Sequence, residues 1–274
     1  MKLQRNHILT LVAVITGSVL IVTACQNIEY PDPSPVATPA NTSARVLFVN
    51  ATDAPALTTL IENGPVGSAL ASGATTAYLP IATNSSQIRI KGAGGVLGAA
   101  NLDLSAKQTF LANTSYTVFV TDTINRPQIR NSVGNITDNG GIRFVTVTDP
   151  LTQTLTAGAG GVRFFHFAPD AGLPVSTTVT IPPVASLRLS SPTSSSVALA
   201  NRAYRNVTAN TFTSVPAGTY RVDVFTGATA PPTSSTIAPV ASTTVNVEAT
   251  KLYTLYARGL RRTNTLSVGR VQHN

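Results

Sequence analysis

Beyond residue 43 the apolar positions fall in short runs of Val, Ile, Thr, Phe and Tyr, separated by Gly, Pro, Asn and Ser. No stretch sustains the three-to-four-residue spacing of an amphipathic helix, so the pattern predicts strands throughout. Ten candidates stand out: Arg45–Asn50, Gln87–Lys91, Thr114–Thr121, Ile142–Thr148, Val162–Phe167, Ser176–Ile181, Thr219–Phe225, Thr243–Glu248, Leu252–Arg258 and Thr265–Val271. In Tyr220-Arg221-Val222-Asp223-Val224 apolar and charged residues alternate, which puts one sheet face in a core and the other in water. Many short strands at this spacing predict an all-β sandwich fold. The clusters Gly92-Ala93-Gly94-Gly95 and Gly158-Ala159-Gly160-Gly161 read as turns, since neither completes a phosphate-binding pattern followed by a helix.

Two passages echo each other in the same order. Arg45-Val46-Leu47-Phe48-Val49-Asn50-Ala51-Thr52-Asp53-Ala54 returns as Arg163-Phe164-Phe165-His166-Phe167-Ala168-Pro169-Asp170-Ala171. Leu79-Pro80 with Ile88-Arg89-Ile90 answers Val215-Pro216 with Tyr220-Arg221-Val222, and Ser115-Tyr116-Thr117-Val118-Phe119 answers Leu252-Tyr253-Thr254-Leu255-Tyr256. A repeat of this length is domain-sized, which predicts two tandem β-sandwich domains, 44–157 and 158–274, each large enough to bury a core.

Ahead of the strands the pattern changes. Lys2 and Arg5 precede a mostly apolar run from Ile8 to Val22 and then Val22-Thr23-Ala24-Cys25. The run is short for a membrane span, which needs roughly 20 apolar residues, and has the form of a cleaved export signal. The segment resembles the signal peptide and lipobox of bacterial lipoproteins. That resemblance implies removal of residues 1–24, palmitate-type acyl chains on Cys25, and a membrane anchor strong enough to hold because two or three chains insert together. Gln26 in place of Asp favours the outer membrane by the same resemblance, while Glu29 and Asp32 leave surface and periplasmic faces both open. Residues 25–43, with Pro31, Pro33, Pro35 and Pro39, read as an extended linker reaching about 50 Å at roughly 3.1 Å per residue.

Composition narrows the chemistry. Cys25 is the one cysteine, so no disulfide forms within the chain. Loss of Lys2 and Arg5 takes the formal charge from +8 to +6. That basic balance suits anionic envelope surfaces, yet no Lys/Arg stripe interleaved with aromatics indicates nucleic-acid binding. His166 and Asp170 are the nearest approach to a chemical pair, and they read as a packed imidazole and a turn carboxylate. No metal-ligand set, nucleophile motif or glycosidase carboxylate pair can be nominated, so neither metal nor cofactor is expected and the protein is read as not an enzyme. Tyr116, Tyr220 and Tyr253 read as core, whereas Tyr78 and Tyr204 fall in loop-like contexts.

Val162-Arg163-Phe164-Phe165-His166-Phe167-Ala168-Pro169-Asp170-Ala171, followed by Pro216-Ala217-Gly218-Thr219-Tyr220-Arg221-Val222, resembles the bacterial extracytoplasmic family of domains of unknown function numbered 4397. Repeat one fits less well, with Asn50 where the His falls and no Pro before Asp53. The resemblance implies two tandem immunoglobulin-like β-sandwich domains and supplies no activity. The expectation is a non-enzymatic, lipid-anchored cell-envelope protein serving as a binding or structural module toward an envelope or extracellular glycan or protein. The alternative is an accessory glycan-binding lipoprotein of a nutrient-uptake system. Candidate binding residues are those on loops at the sandwich ends: Asp53, Asp170, Tyr204, Arg205, Arg261 and Arg262, within the stretches Thr52–Ala56, Pro169–Pro174, Arg202–Arg205 and Arg261–Asn264.

Overall fold

The computed structural model describes residues 43–274 apart from 55, 93–103, 124–128, 131–132, 134, 139, 171–183, 193–194, 227–230, 232–236 and 261–262. The signal segment, Cys25, the Pro-rich linker, Ala93 to Gly95, the Ser176–Ile181 strand, Arg261 and Arg262 lie outside the described residues. Among the described residues every regular element is a strand. Residues 42–274 form one compact unit.

The first half contains β1 (Ala44–Asn50), β2 (Ala56–Ile61), β3 (Gly64–Pro65), β4 (Leu70–Ala71), β5 (Leu79–Ile81), β6 (Asn84–Gly92), β7 (Leu104–Phe110), β8 (Ser115–Thr121), β9 (Ile129–Arg130), β10 (Ile136–Asp138) and β11 (Arg143–Thr148). The second contains β12 (Ala159–His166), β13 (Ala185–Ser190), β14 (Val197–Arg202), β15 (Thr213–Pro216), β16 (Gly218–Thr226), β17 (Ala241–Val247), β18 (Leu252–Arg258) and β19 (Ser267–Gln272). Sheet order β11-β8-β1-β5 in the first half is repeated as β19-β18-β12-β15 in the second. The other two sheets, β3-β2-β6-β7 and β14-β13-β16-β17, correspond in the same way. Both halves also share a parallel pair: Arg45 lies opposite Ser115 in β1–β8, and Arg163 opposite Thr254 in β12–β18. The sequence echo is therefore a repeat of topology, with the β9–β10 hairpin added between β8 and β11 of the first half, but its register is shifted: Tyr116 faces Val46 and Tyr253 faces Val162, so Arg163 stands at the position of Leu47, two residues on from that of Arg45.

Each half is a sandwich with its own interior. Val162, Phe164, Tyr220, Val222, Val224, Tyr253 and Leu255 sit in the core of the second. Val46, Phe48, Ile88, Phe110, Tyr116 and Val118 fill that of the first. The alternate residues of the same strands are buried as well. Leu47, Val49, Phe119 and Val147 pack against Phe165, Phe167, Tyr256 and Val271 in a third cluster that joins the halves. The sheets that contain β8 and β12 are covered on both faces, by a sandwich core on one and by the joining cluster on the other. Hence all seven residues of β8 and all eight of β12 are buried, whereas β16 alternates near its start. Continuous apolar runs belong to doubly covered strands and alternating runs to strands with one wet face.

Nine of the ten predicted strands are present, the tenth lying outside the described residues. β2 to β5, β7, β9, β10 and β13 to β15 add to them. β7, Leu-Ser-Ala-Lys-Gln-Thr-Phe, buries only its terminal Phe110 fully and is an edge strand, so little apolar surface marked it in the sequence.

The Gly158–Gly161 cluster needs correction. Gly158 turns with φ of 73°, but Gly160 and Gly161 are inside β12. A Cβ on Gly160 would lie 2.5 Å from the Glu248 carbonyl oxygen and 2.7 Å from Val247 Cγ1. These glycines admit the neighbouring backbone at close range rather than bending the chain. Gly160→Ala is expected to cost about 1–3 kcal/mol through overpacking, measured as a lower denaturation midpoint against Gly158→Asn, which keeps the left-handed turn and is expected to change stability little.

Candidate functional site

The densest polar chemistry lies at one end of the surface between the halves. Arg163 of β12 and Thr254 of β18 are on the outer face of their sheet, and His273 follows β19 on the same side. Asp149, directly after β11, and Thr117 of β8 approach from the first half, together with Tyr78, just before β5. The side chains of Asp149, Arg163 and His273 are wholly inaccessible to solvent.

Their hydrogen bonds close into a ring. Arg163 Nη2 donates to Asp149 Oδ1, and Arg163 Nε donates to Thr254 Oγ1 at 2.7 Å. Thr254 Oγ1 is 2.7 Å from His273 Nε2, and His273 Nδ1 is 2.7 Å from the Tyr78 hydroxyl. Tyr78 in turn donates to Asp149 Oδ2 at 2.7 Å, the same oxygen that accepts from Thr117 Oγ1 at 2.7 Å. One arrangement of protons satisfies every atom: Thr254 donates to Nε2, and a neutral His273 donates from Nδ1 to Tyr78. Arg163 Nη1 also reaches the carbonyl oxygens of Asn210, at 3.0 Å, and Thr148, at 3.2 Å. The guanidinium lies 4.5 Å from the Phe212 ring centroid, and that ring meets His273 edge-on.

Burial sets the charges. It pushes His273 down to about 4, opposed by the Asp149 charge and reinforced by Arg163. Burial also pushes the Tyr78 phenol up, and the carboxylate beside it adds to the rise. For Arg163 desolvation works against the cation while contact with Asp149 offsets it. The ring therefore holds one buried ion pair and neutral imidazole and phenol groups, with each polar atom bound to another. Chemically it is a clamp between the two halves.

Further contacts cross the same surface at its other end. Arg258 of β18 donates from Nη1 to the Thr52 carbonyl and to Ser72 Oγ, and the Tyr204 hydroxyl donates to Asp122 Oδ2 at 2.8 Å. Arg205 lies over the Tyr204 ring at 4.7 Å. Tyr78 and Tyr204, the two loop tyrosines, thus both direct their hydroxyls across the junction.

Of the other candidate binding residues, Asp53 is exposed and Asp170 is buried. Thr52 is buried too, and Ala56 and Arg202 belong to strands rather than loops. His166 Nδ1 accepts from the Ala168 amide at 3.4 Å, and Asn50 Oδ1 accepts from the Thr52 amide at 3.1 Å. The Asn at the equivalent point of the first repeat thus makes the same two-residue turn contact as the His. Tyr116, Tyr220 and Tyr253 are core residues. The clamp itself escaped the sequence reading: Asp149 was visible only as part of an Asp-Pro step, and Arg163 only as the repeat partner of Arg45. Among the described residues no three His, Cys, Asp or Glu side chains converge as metal ligands would.

No curated protein matches the chain. Residues 44–173 match the domain of unknown function DUF4397, a span that takes in the whole first half together with β12 and the Pro169-Asp170 turn. Through this segment, which carries both copies of the Arg-initiated strand, the chain is similar to the DUF4397 family.

Proposed function

We propose that this protein is a non-enzymatic module of the bacterial cell envelope, anchored through Cys25 and offering residues 44–274 as a rigid body for binding or structural support. The observation that carries this reading is the clamp: Arg163, Asp149 and His273 face one another inside the molecule and fasten two sandwiches together. A body fastened in this way keeps the loops at its ends in fixed relation, which favours recognition of a partner by surface shape and charge. Asp53, Tyr204 and Arg205 are the described loop residues best suited to touch an envelope glycan or protein.

The anchor is tested by feeding cells an alkyne-bearing palmitate analogue. The wild-type protein is expected to take up label and to sediment with membranes, whereas Cys25→Ala stays unlabelled and keeps its leader. Equal processing and sedimentation of both would overturn the lipoprotein reading. Protease treatment of intact cells then distinguishes an outward-facing body from a periplasmic one.

A further inference from the structure

His273 is the imidazole of the buried ring, and its place there requires it to be neutral. The groups that face it come from both halves: Tyr78 before β5, Asp149 after β11, Arg163 on β12, Thr254 on β18 and the Phe212 ring ahead of β15. Arg45 of β1 stands behind Tyr78, 5.4 Å from its ring centroid. Nε2 accepts from Thr254, whose oxygen already receives a proton from Arg163 Nε. A second proton on the imidazole would turn this acceptor into a donor, so that Thr254 Oγ1 would have to accept from both His273 and Arg163 and its own proton would lose the Nε2 acceptor.

We propose that the ring is an acid-released latch: proton uptake at His273 Nε2 takes away the acceptor of the Thr254 hydroxyl, adds a cation beside Arg163, and loosens the junction while each sandwich keeps its own core. The geometry separates the two effects. Tyr78 of the ring packs against the cluster that joins the halves, while the second-half core of Val162, Phe164, Tyr220 and Leu255 is a separate cluster built on the alternate residues of β12 and β18. Closure favours the neutral imidazole, so the closed form binds fewer protons than the open form. The latch is then at full strength above pH 6.5, weakens as pH falls, and levels off below about 4. Across that window the closing equilibrium shifts by about 300-fold.

Hydrogen exchange of the mature protein, corrected for the intrinsic pH dependence of amide exchange, tests this. On acidification from about pH 6.5 toward about pH 4, β1 and β12 are expected to lose protection by tens of fold relative to β13 and β16, which lie in or beside the separate sandwich core. His273→Gln keeps a donor and an acceptor but cannot titrate in this range, and it is expected to abolish the step. If His273→Gln does not fold, Thr254→Val serves instead: removing the hydroxyl on Nε2 is expected to raise the midpoint of the step. The proposal is overturned by constant protection of β1 and β12 across the window, by the same step in His273→Gln, or by an unmoved midpoint in Thr254→Val.

Discussion

Asp149→Ala is expected to destabilise residues 42–274 by about 3–5 kcal/mol, the usual cost of leaving one charge of a buried pair without its partner. For a unit of this size that is a fall in melting temperature of roughly 10 °C. The change strips Arg163 of its counter-ion and leaves the Thr117 and Tyr78 hydroxyls without the oxygen they share. Arg221 provides the comparison. It also pairs with a carboxylate, Asp223, at 2.9 Å, but its side chain is 64% exposed. Arg221→Ala is accordingly expected to cost no more than about 1 kcal/mol. Replacing both buried charges, as Asp149→Leu with Arg163→Met, is expected to recover much of the loss because neither ion is then stranded. Denaturant melts of Asp149→Leu, of Arg163→Met and of the double variant form a cycle that isolates the coupling. A loss below about 1 kcal/mol for Asp149→Ala would mean that water or rearrangement readily replaces the pair.

The sequence showed the sandwiches more clearly than the clamp, for a physical reason. Strand periodicity reports whether a side chain meets apolar surroundings, and it reads well where burial follows the hydrophobic residues themselves. Val46 to Val49, Tyr116 to Val120 and Leu252 to Ala257 are apolar at both parities, which is the mark of a strand covered on both faces. That signal contains the junction between the halves, although it does not say which covered face meets which. Asp149, Arg163 and His273 violate the same rule: they are polar and buried, and their burial depends on partners far away in the chain. Arg45 and Arg163 match in the sequence echo, but Tyr116 and Tyr253, which match there too, lie opposite Val46 and Val162, so Arg163 stands where the first half has Leu47. Arg45 remains exposed while Arg163 is enclosed by Asp149, Phe212 and His273. The residue pattern of either strand does not reveal this two-residue shift, which comes from how β12 is set against β18 and places Arg163 deeper in the sheet.

Removing the ring of Phe119 is expected to have an effect of similar size with a different signature. Phe119 is fully buried, with its ring centroid 4.8 Å from Phe167, 5.3 Å from Tyr256 and 6.1 Å from Phe165. All three neighbours belong to the other half, so Phe119→Ala opens a cavity in the junction itself and is expected to cost about 3–5 kcal/mol. The lost edge-to-face and tilted ring contacts account for part of this, at about 0.5–1.5 kcal/mol for each well-formed pair. Phe110 gives the control, being equally buried but stacked edge-on against Tyr116 within the first half. In calorimetry the wild-type protein is expected to melt in one transition because the clamp and this ring cluster couple the sandwiches. Phe110→Ala should lower that transition or detach the first half as the weaker partner. Phe119→Ala should instead uncouple the halves into two transitions, with the second-half core, built around Phe164 and Tyr220, melting higher. If Phe119→Ala melts in a single transition at the wild-type temperature, the aromatic cluster does not carry the coupling, and the polar ring of Asp149, Arg163 and His273 must hold the halves together on its own.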